Sequence, residues 1–533
     1  MRLALAQINP CVGDLKGNTD KIIENIAKAK REKADLVIFP ELAITGYPPE
    51  DLLLKPQFIA DNLACLHNIQ SASKDIAVFV GFVASIGKDL YNAGAFIENG
   101  RIREIFYKNN LPNNSVFDEK RYFKEGRKAS IVNFKKIKIG LGICEDLWVE
   151  KGPYLAEAKK GAKLLVYINA SPYSRGKVKQ REALVCARAK KTKTTIAYVN
   201  MVGGQDELIF DGGSMVVDPK GKVLARSKQF REDLQIIDIN KASAVPEWMG
   251  EKQEIYEALV LGVRDYVQKN GFSKVVIGLS GGIDSALTLA IAVDALGSQN
   301  VSAVFMPSKY SSQQSYDDAL LIANNLSVNF SNIKITELYE RYLLELQPIF
   351  KDLAPNLAEE NLQARIRGTI LMAISNKFNW LVLTTGNKSE TSTGYCTLYG
   401  DMAGGYNVLK DIPKTLVYEL VDYRNTVSQD IPQSIIKRPP TAELKPNQKD
   451  QDTLPPYPAL DQIMEEYVER NKSIKEIVKL GADENYAKKV ISMIDYSEYK
   501  RRQAPPGPRI TERAFGKDWR MPITNKYKNG GKK

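Results

Sequence analysis

Two successive α/β units are predicted, the first layered and the second built on a doubly wound parallel sheet, and three observations predict them. Short apolar runs alternate with helical patterns from residue 2 to 239, the pattern breaks over 241–253, and a strand, a glycine loop, a helix, a strand and a helix then follow from 274 to 326. In the first unit the strand segments are 2–8 (RLALAQI), 34–39 (ADLVIF), 75–84 (DIAVFVGFVA), 137–144 (IKIGLGIC), 162–169 (AKLLVYIN), 194–200 (TTIAYVN), 213–218 (GSMVVD) and 234–239 (LQIIDI). Several are apolar at nearly every position, as strands covered on both faces are. Segments 19–34 and 152–161 instead carry apolar residues at helical spacing with lysines opposite. Pro246 and a polar stretch close this pattern, and the amphipathic segment 254–271 opens the next, with Gly271 placed to end its helix. The expected division is therefore 1–245, a linker over 246–255, a second unit over 256–525, and a basic, Gly-rich, disordered tail over 526–533.

In the second unit 274–279 (KVVIGL) reads as a strand, 280–285 (SGGIDS) as a glycine loop, 286–296 as a helix, 300–306 as a strand and 315–326 as a helix. Helical crossovers between strands make a parallel sheet. A long helix is expected over 359–378, feeding the strand segment 380–386. Between Ile431 and Pro458 the chain is rich in Pro, Lys, Gln and Asp, which fits an ordered substrate loop or a lid. At 533 residues, 44% hydrophobic and 26% charged, with no run approaching the ~18 apolar residues of a membrane span, the chain reads as soluble, with no membrane partner.

Composition excludes several chemistries. His67 is the single histidine, so a mechanism needing two histidines within one chain is ruled out. The five cysteines, Cys11, Cys65, Cys144, Cys186 and Cys396, are scattered and never in a CxxC spacing, which argues against a disulfide framework or a zinc ribbon and for a reducing compartment. The N-terminal apolar stretch is too short and broken for a signal peptide, and a cytoplasmic location is expected. The net charge of +12 fits nucleic acid or small phosphorylated substrates. Four of those charges (Lys526, Lys528, Lys532, Lys533) sit in the tail and the rest are mixed with acids, so nucleic acid is not the expected partner.

The segment Val275 to Ser285 is a strand, a Ser/Gly turn and a helix start. Glycines let backbone approach a polyanion, and exposed N–H groups with a helix dipole favour phosphate. An acid in such a loop, Asp284, is unfavourable against phosphate unless it holds a cation; the lysine of a Walker loop is missing. Two glycines beside a serine also make an ordinary tight turn, but the whole SGGIDS string in this context is far more specific. It resembles the pyrophosphate loop of the ATP pyrophosphatase superfamily. The segments 359–368 (EENLQARIRG), 384–390 (TTGNKSE), 394–401 (GYCTLYGD), Lys414-Thr415, 440–444 (PTAEL) and 499–502 (YKRR) are similar, in order, to the synthetase domain of the NAD⁺ synthetase family. That resemblance implies ATP contacts from Gly278, Leu279, Ser280, Gly281, Gly282, Ile283, Asp284, Ser285, Thr385, Lys414 and Thr441, Mg²⁺ between Asp284 and Glu390, and deamido-NAD⁺ held by Asn361, Arg365, Glu390 and Lys500. Where ammonia-using members often carry a lysine, this chain has Leu398, so segment 397–401 is not counted among the contacts.

Cys144 ends an apolar run and is followed by Glu145-Asp146-Leu147-Trp148. A lone cysteine there is more often a small buried hydrophobe than a nucleophile. Two further segments change that reading: Glu41 in 39–42 (FPEL) and Lys108 in 107–112 (YKNNLP) each follow an apolar run, and the ends of buried strands are where α/β folds build sites. Glu, Lys and Cys on three strand ends resemble the triad of the nitrilase, or carbon-nitrogen hydrolase, superfamily, which implies an α-β-β-α sandwich. It also implies Glu41 as general base, Cys144 as nucleophile toward a carboxamide, and Lys108 as the cation that lowers the thiol pKa and stabilises the oxyanion. The amide substrate implied is glutamine, contacted by Ser171 and Lys177 and by Asn114, which stands where the family usually has tyrosine; Asn113 is the alternative for that role. Together the resemblances imply a ligase that drives amidation of deamido-NAD⁺ with ATP and glutamine-derived ammonia, and one that pairs as a homo-oligomer.

Overall fold

The computed structural model describes residues 1–241 and 245–527, so Lys528, Lys532 and Lys533 of the expected tail lie outside the described residues. The chain divides into two units, Met1–Gly250 and Glu251–Lys533.

Period-two alternation on the strands of the first unit explains its layers. Leu3 and Leu5 point into a core shared with Leu36, Ile38, Phe79 and Phe96 from one sheet and with Ile139, Leu141, Leu164, Val166 and Val199 from another. Ala4 and Ala6, their neighbours in sequence, face the other way, onto Ile22 and Ile26 of the helix Leu15–Arg31 and Leu66 and Ile69 of the helix Pro56–Ala72. On the second sheet Leu165, Tyr167, Ile196 and Tyr198 likewise turn outward onto Tyr154 of the helix Pro153–Lys159 and Val185 and Ala189 of the helix Lys177–Thr192. Both faces of both sheets are covered, which is why the strands read as nearly continuous apolar runs. The result is the helix, sheet, sheet, helix sandwich of the nitrilase-like fold.

One six-stranded sheet runs in the order Asp233–Asp238, Arg2–Gln7, Leu36–Ile38, Ala77–Ile86, Asp89–Glu98, Arg101–Tyr107; the other runs Val223–Arg226, Met215–Val217, Thr195–Asn200, Leu164–Asn169, Ile137–Ile143, Ser130–Phe134. In each, the inner strands Arg2–Gln7, Leu36–Ile38 and Ala77–Ile86, or Ile137–Ile143, Leu164–Asn169 and Thr195–Asn200, are parallel, so their C-terminal ends gather on one edge.

The second unit opens with the helix Glu251–Lys269, which begins within the segment 246–255; Gly271 follows at φ +79°, its N–H donating to the Gln268 carbonyl at 3.0 Å, an end only glycine takes without strain. Its five-stranded sheet has the order Asn329–Asn332, Val301–Phe305, Val275–Gly278, Leu381–Thr384, Tyr406–Asn407, and every pairing is parallel. From Val275–Gly278 the chain crosses to Val301–Phe305 on one side and later returns to Leu381–Thr384 on the other. The glycine loop after Gly278 therefore sits where the winding reverses, the position at which open α/β sheets bind ligands. The long helix expected over 359–378 runs Leu357–Phe378 with an Asn356 capping box. A separate helical cluster, with Leu460, Ile463, Met464, Val490, Ile494 and Trp519 at its centre, packs the end of this unit. Among the described residues no helix is long and apolar enough to cross a membrane.

Candidate active sites

Glu41 follows the strand Leu36–Ile38, Lys108 follows Arg101–Tyr107 and Cys144 follows Ile137–Ile143, so three strand ends deliver the three side chains to one edge of the sandwich. Lys108 Nζ lies 2.7 Å from Glu41 Oε1 and 2.8 Å from Glu119 Oε1, with all three side chains at most 5% exposed. Glu41 is fixed from every side: its Oε1 also accepts from Asn92 Nδ2 at 2.7 Å, and its Oε2 from the Ala170 N–H at 2.8 Å. Gly81 matters here because a Cβ at that position would run into the backbone of Pro40 and Leu42 and push Glu41 off its place.

Burial works against the Lys108 ammonium, but the Glu119 and Glu41 carboxylates outweigh it and hold its pKa well above the usual lysine range. Burial pushes the Cys144 thiol well up, the Glu41 charge adds to this, and Lys108 opposes. Lys108 thus lowers the thiol pKa, as expected, without winning. The resting nucleophile is a thiol, and a base must take its proton as it attacks. Glu119, whose pKa burial raises against the pull of Lys108, accepts from Tyr47 Oη at 2.9 Å and was not among the expected residues. Cys144 itself has φ +43°, a strained value at the turn into the short helix Glu145–Trp148.

Ser171 is 4% exposed in the loop after Leu164–Asn169. Lys177 starts the helix Lys177–Thr192 with its Nζ 4.0 Å from the centre of the Trp148 ring, a cation–π contact that joins it to the helix after the nucleophile. Asn114 lies on an exposed turn, where its carbonyl accepts from the Phe117 N–H at 3.0 Å, and Asn113 is exposed beside it, in contrast to the buried Lys108 group. His67 is exposed on the outer helix Pro56–Ala72, its Nδ1 2.8 Å from the Leu63 carbonyl, and serves neither site.

In the second unit a cavity of about 570 Å³ is lined by the whole run Gly278 to Ser285 together with Asn361, Thr385, Glu390, Lys414, Thr441 and Lys500. The helix Ile283–Leu296 begins at this loop, and its first-turn N–H groups and dipole favour phosphate oxygens. Ser285 Oγ donates to the Gly282 carbonyl at 2.9 Å and accepts from the Ser280 N–H at 3.2 Å, closing the loop on itself. Lys414 Nζ is paired with Asp284 and stands 3.8 Å from Glu390 Oε1, while Asn387 Nδ2 donates to Asp284 Oδ1 at 3.0 Å. Burial lifts the Glu390 carboxyl to about 8, Asp284 adds to the rise and Lys414 opposes it. Two carboxylates crowded beside one ammonium are a donor set that suits a hard divalent cation, whose charge would offset their mutual repulsion. Among the described residues no group of three or more His, Cys, Asp or Glu side chains makes a complete metal cage, so a cation between Asp284 and Glu390 would take its other ligands from phosphate and water.

Asn361 Oδ1 accepts from Thr397 Oγ1 at 2.8 Å, Lys500 Nζ donates to the Gly394 and Cys396 carbonyls at 2.7 and 2.9 Å, and Thr441 Oγ1 donates to the Gln448 carbonyl at 2.6 Å. Arg365 is not brought to the cavity: it is exposed and its Nε donates to the Leu398 carbonyl at 3.2 Å. Arg367, two positions on, does line it, with its Nε on the Met306 carbonyl at 2.9 Å. The loop 438–443 is pinned to the start of the helix Gln313–Asn325 by Arg438, which donates to Ser315 Oγ at 2.7 Å and Ser312 Oγ at 3.0 Å and pairs with Glu443.

A buried Glu–Lys–Cys group on one unit and a glycine loop with paired carboxylates on the next fit the class of amide-forming ligases fed by amide hydrolysis. Comparison with known proteins agrees with this class: residues 2–246 match the carbon-nitrogen hydrolase family and residues 255–504 the NAD synthase family. The glutamine-dependent NAD⁺ synthetase of Aquifex aeolicus is 46% identical, covering 99% of this chain and 100% of its own. The structure of the glutamine-dependent NAD⁺ synthetase from Acinetobacter baumannii in complex with ADP is 43% identical with a TM-score of 0.81, covering 99% of each chain; that from Cytophaga hutchinsonii shares the fold at TM-score 0.87 and 23% identity, covering 99% of this chain and 98% of its own. The chain belongs to the family of glutamine-dependent NAD⁺ synthetases.

Proposed function

We propose that this chain makes NAD⁺ from deamido-NAD⁺, ATP and glutamine at these two sites. In the first, Glu41 takes the Cys144 proton as the sulfur attacks the glutamine carboxamide, and the Lys108 ammonium faces the oxyanion that forms. Glu41 then returns the proton to the leaving nitrogen, ammonia departs, and a water deprotonated by Glu41 cleaves the thioester to glutamate. Lys108 remains charged throughout, since Glu119 stays beside it while Glu41 carries the proton. Ser171 and Lys177 are assigned to the amino-acid end of glutamine, the lysine as partner for its carboxylate.

In the second site the nicotinate carboxylate of deamido-NAD⁺ displaces pyrophosphate from the α-phosphate of ATP, giving an acyl-adenylate, and ammonia then displaces AMP. The loop from Gly278 to Ser285, Thr385 and Thr441 are assigned to ATP; Asn361, Glu390 and Lys500 to deamido-NAD⁺, with Arg367 in place of Arg365. Lys414 places its charge beside the phosphates. Mg²⁺, when bound at Asp284 and Glu390, supplies charge neutralisation of the pyrophosphate leaving group. We also propose a homodimer as the smallest assembly, supported by the exposed apolar Leu338, Leu344, Ile349, Leu353 and Leu357 on and beside the helices Thr336–Phe350 and Leu357–Phe378. The five free cysteines support a cytoplasmic setting.

The observation that carries the reading is the joint presence, in one cavity, of the glycine loop, Asp284, Glu390 and Lys414. ATP–pyrophosphate exchange tests it. Exchange should require deamido-NAD⁺ and proceed without glutamine; exchange supported equally by an unrelated carboxylate acceptor would contradict it.

A further inference from the structure

The glutamine site rests on one short piece of backbone. Ala170 gives its N–H to Glu41 Oε2 at 2.8 Å, and Ser171, the next residue, is the proposed glutamine contact. This segment lies beyond the ladder of the strand Leu164–Asn169, so no strand neighbour fixes Ser171. A side chain does. Asn200, the last residue of the adjacent strand Thr195–Asn200 and fully buried, accepts from the Ser171 N–H through Oδ1 at 2.9 Å and donates from Nδ2 to the Ser171 carbonyl at 3.2 Å and the Gly212 carbonyl at 3.0 Å. Its carboxamide thus reproduces the two-bond pairing of a peptide group and extends the sheet by one residue in the form of a side chain.

Asn200 is itself held. Its N–H donates to Ser214 Oγ at 3.0 Å, and Ser214 Oγ donates to Gln7 Oε1 at 2.9 Å, a residue of the opposite sheet whose Nε2 donates to the Lys228 and Arg231 carbonyls at 2.6 and 2.8 Å. Arg181, fully buried and doubly paired with Asp211 at 2.9 and 3.1 Å, donates to the Gly212 carbonyl at 3.2 Å. The side chains of Gln7, Arg181, Asn200, Asp211 and Ser214 are all buried, where each lost hydrogen bond leaves a desolvated partner.

We propose that Asn200 is the positioning residue that sets glutamine recognition: it fixes Ser171 at the pocket and touches neither the reacting atoms nor the substrate. This rests on the assignment of Ser171 to glutamine, so the experiment carries both variants. Glutamine-driven NAD⁺ formation is measured at saturating ATP and deamido-NAD⁺ for Asn200→Ala and Ser171→Ala in the full chain, beside ammonia-driven formation and the rate at which iodoacetamide alkylates Cys144. Asn200→Ala should raise KM for glutamine about tenfold, equivalent to about 1.4 kcal/mol, with a much smaller change in kcat and with ammonia-driven formation and alkylation unchanged. Should that variant fail to fold, Asn200→Asp, which keeps the acceptor for the Ser171 N–H and loses the donor, is read instead and should raise KM in the same direction. Ser171→Ala with unchanged KM overturns the glutamine assignment. A raised KM in Ser171→Ala with an unchanged KM in the folded Asn200 variant, or a parallel loss of alkylation and of both activities, overturns positioning by Asn200.

Discussion

Asp146, two residues after the nucleophile, shows how burial sets chemistry at a single position. It is fully buried and accepts from the Asn109 N–H at 3.1 Å, the Asn110 N–H at 2.8 Å and Asn110 Nδ2 at 2.8 Å, so it ties the turn after Cys144 to the residues that follow Lys108. Burial lifts its carboxyl to about 7; the bonds from Asn110 and Asn109 and the charge of Lys108 pull the other way, and Glu157, itself raised by burial, faces it. Between about pH 4 and about pH 7 the folded chain therefore holds a proton that the unfolded chain has released, so stability falls as pH rises through that window, by about 1.4 kcal/mol per pH unit, and levels off above it. Asn at this position keeps the Oδ1 acceptor and has no proton to lose. Denaturant midpoints of the first unit at pH 5 and pH 7.5 should show wild type losing stability relative to Asp146→Asn; parallel slopes would refute the assignment. At this scale the sequence carries unequal information. Glu41, Lys108 and Cys144 are legible because a charge or thiol at the end of an apolar run is conspicuous. Glu119 is not, since nothing in NNSVFDEKR tells which acid turns inward. Arg365 and Arg367 differ by two positions on one helix, roughly 200° apart around its axis, and motif similarity alone did not separate the exposed one from the one in the cavity.

Elements were legible where both faces are buried and obscure where pairing decides. The parallel strands Leu36–Ile38, Ile137–Ile143, Leu164–Asn169 and Val275–Gly278 announce themselves as apolar runs. Asp89–Glu98 does not: its centre, Asn92-Ala93-Gly94-Ala95, is small because the strand packs against large neighbours, and a Cβ on Gly94 would come within 2.6 Å of the Phe79 ring. The short strands Val202–Gln205 and Leu208–Asp211 are fixed by pairing with each other. The glycine loop has a requirement of its own. Gly281 has φ +79°, and a Cβ there would drive into the Ser315 carbonyl oxygen, so any other residue both strains the turn and pushes the loop away from the start of the helix Gln313–Asn325. Gly281→Ala should lower ATP–pyrophosphate exchange more than tenfold while leaving Cys144 alkylation untouched. Near-normal exchange would show that the loop does not hold the phosphates.

At the scale of the whole molecule, composition constrained more than it explained. One histidine excluded mechanisms that need two, such as most catalytic zinc sites, before any site was known, and both proposed sites run on Glu, Lys, Cys, Asp and backbone N–H groups. The net charge of +12 pointed to no partner by itself; in the fold the lysines assigned to the two proposed sites, Lys108 and Lys414, are buried and paired with acids. The proposed homodimer is where the sequence says least; in the fold Leu338, Leu344 and Ile349 of Thr336–Phe350 are exposed. Leu344→Glu places a charge in that face and should shift the sedimentation coefficient toward that of one chain; an unchanged value would move the contact elsewhere. In the proposed function one chain carries two chemically independent sites, one that releases ammonia and one that consumes it. The most direct measurement is NAD⁺ formation by Cys144→Ala with glutamine and, separately, with ammonium as nitrogen source. Loss of the glutamine-driven reaction with the ammonium-driven reaction retained is the predicted result; loss of both, or survival of the glutamine-driven reaction, would contradict it.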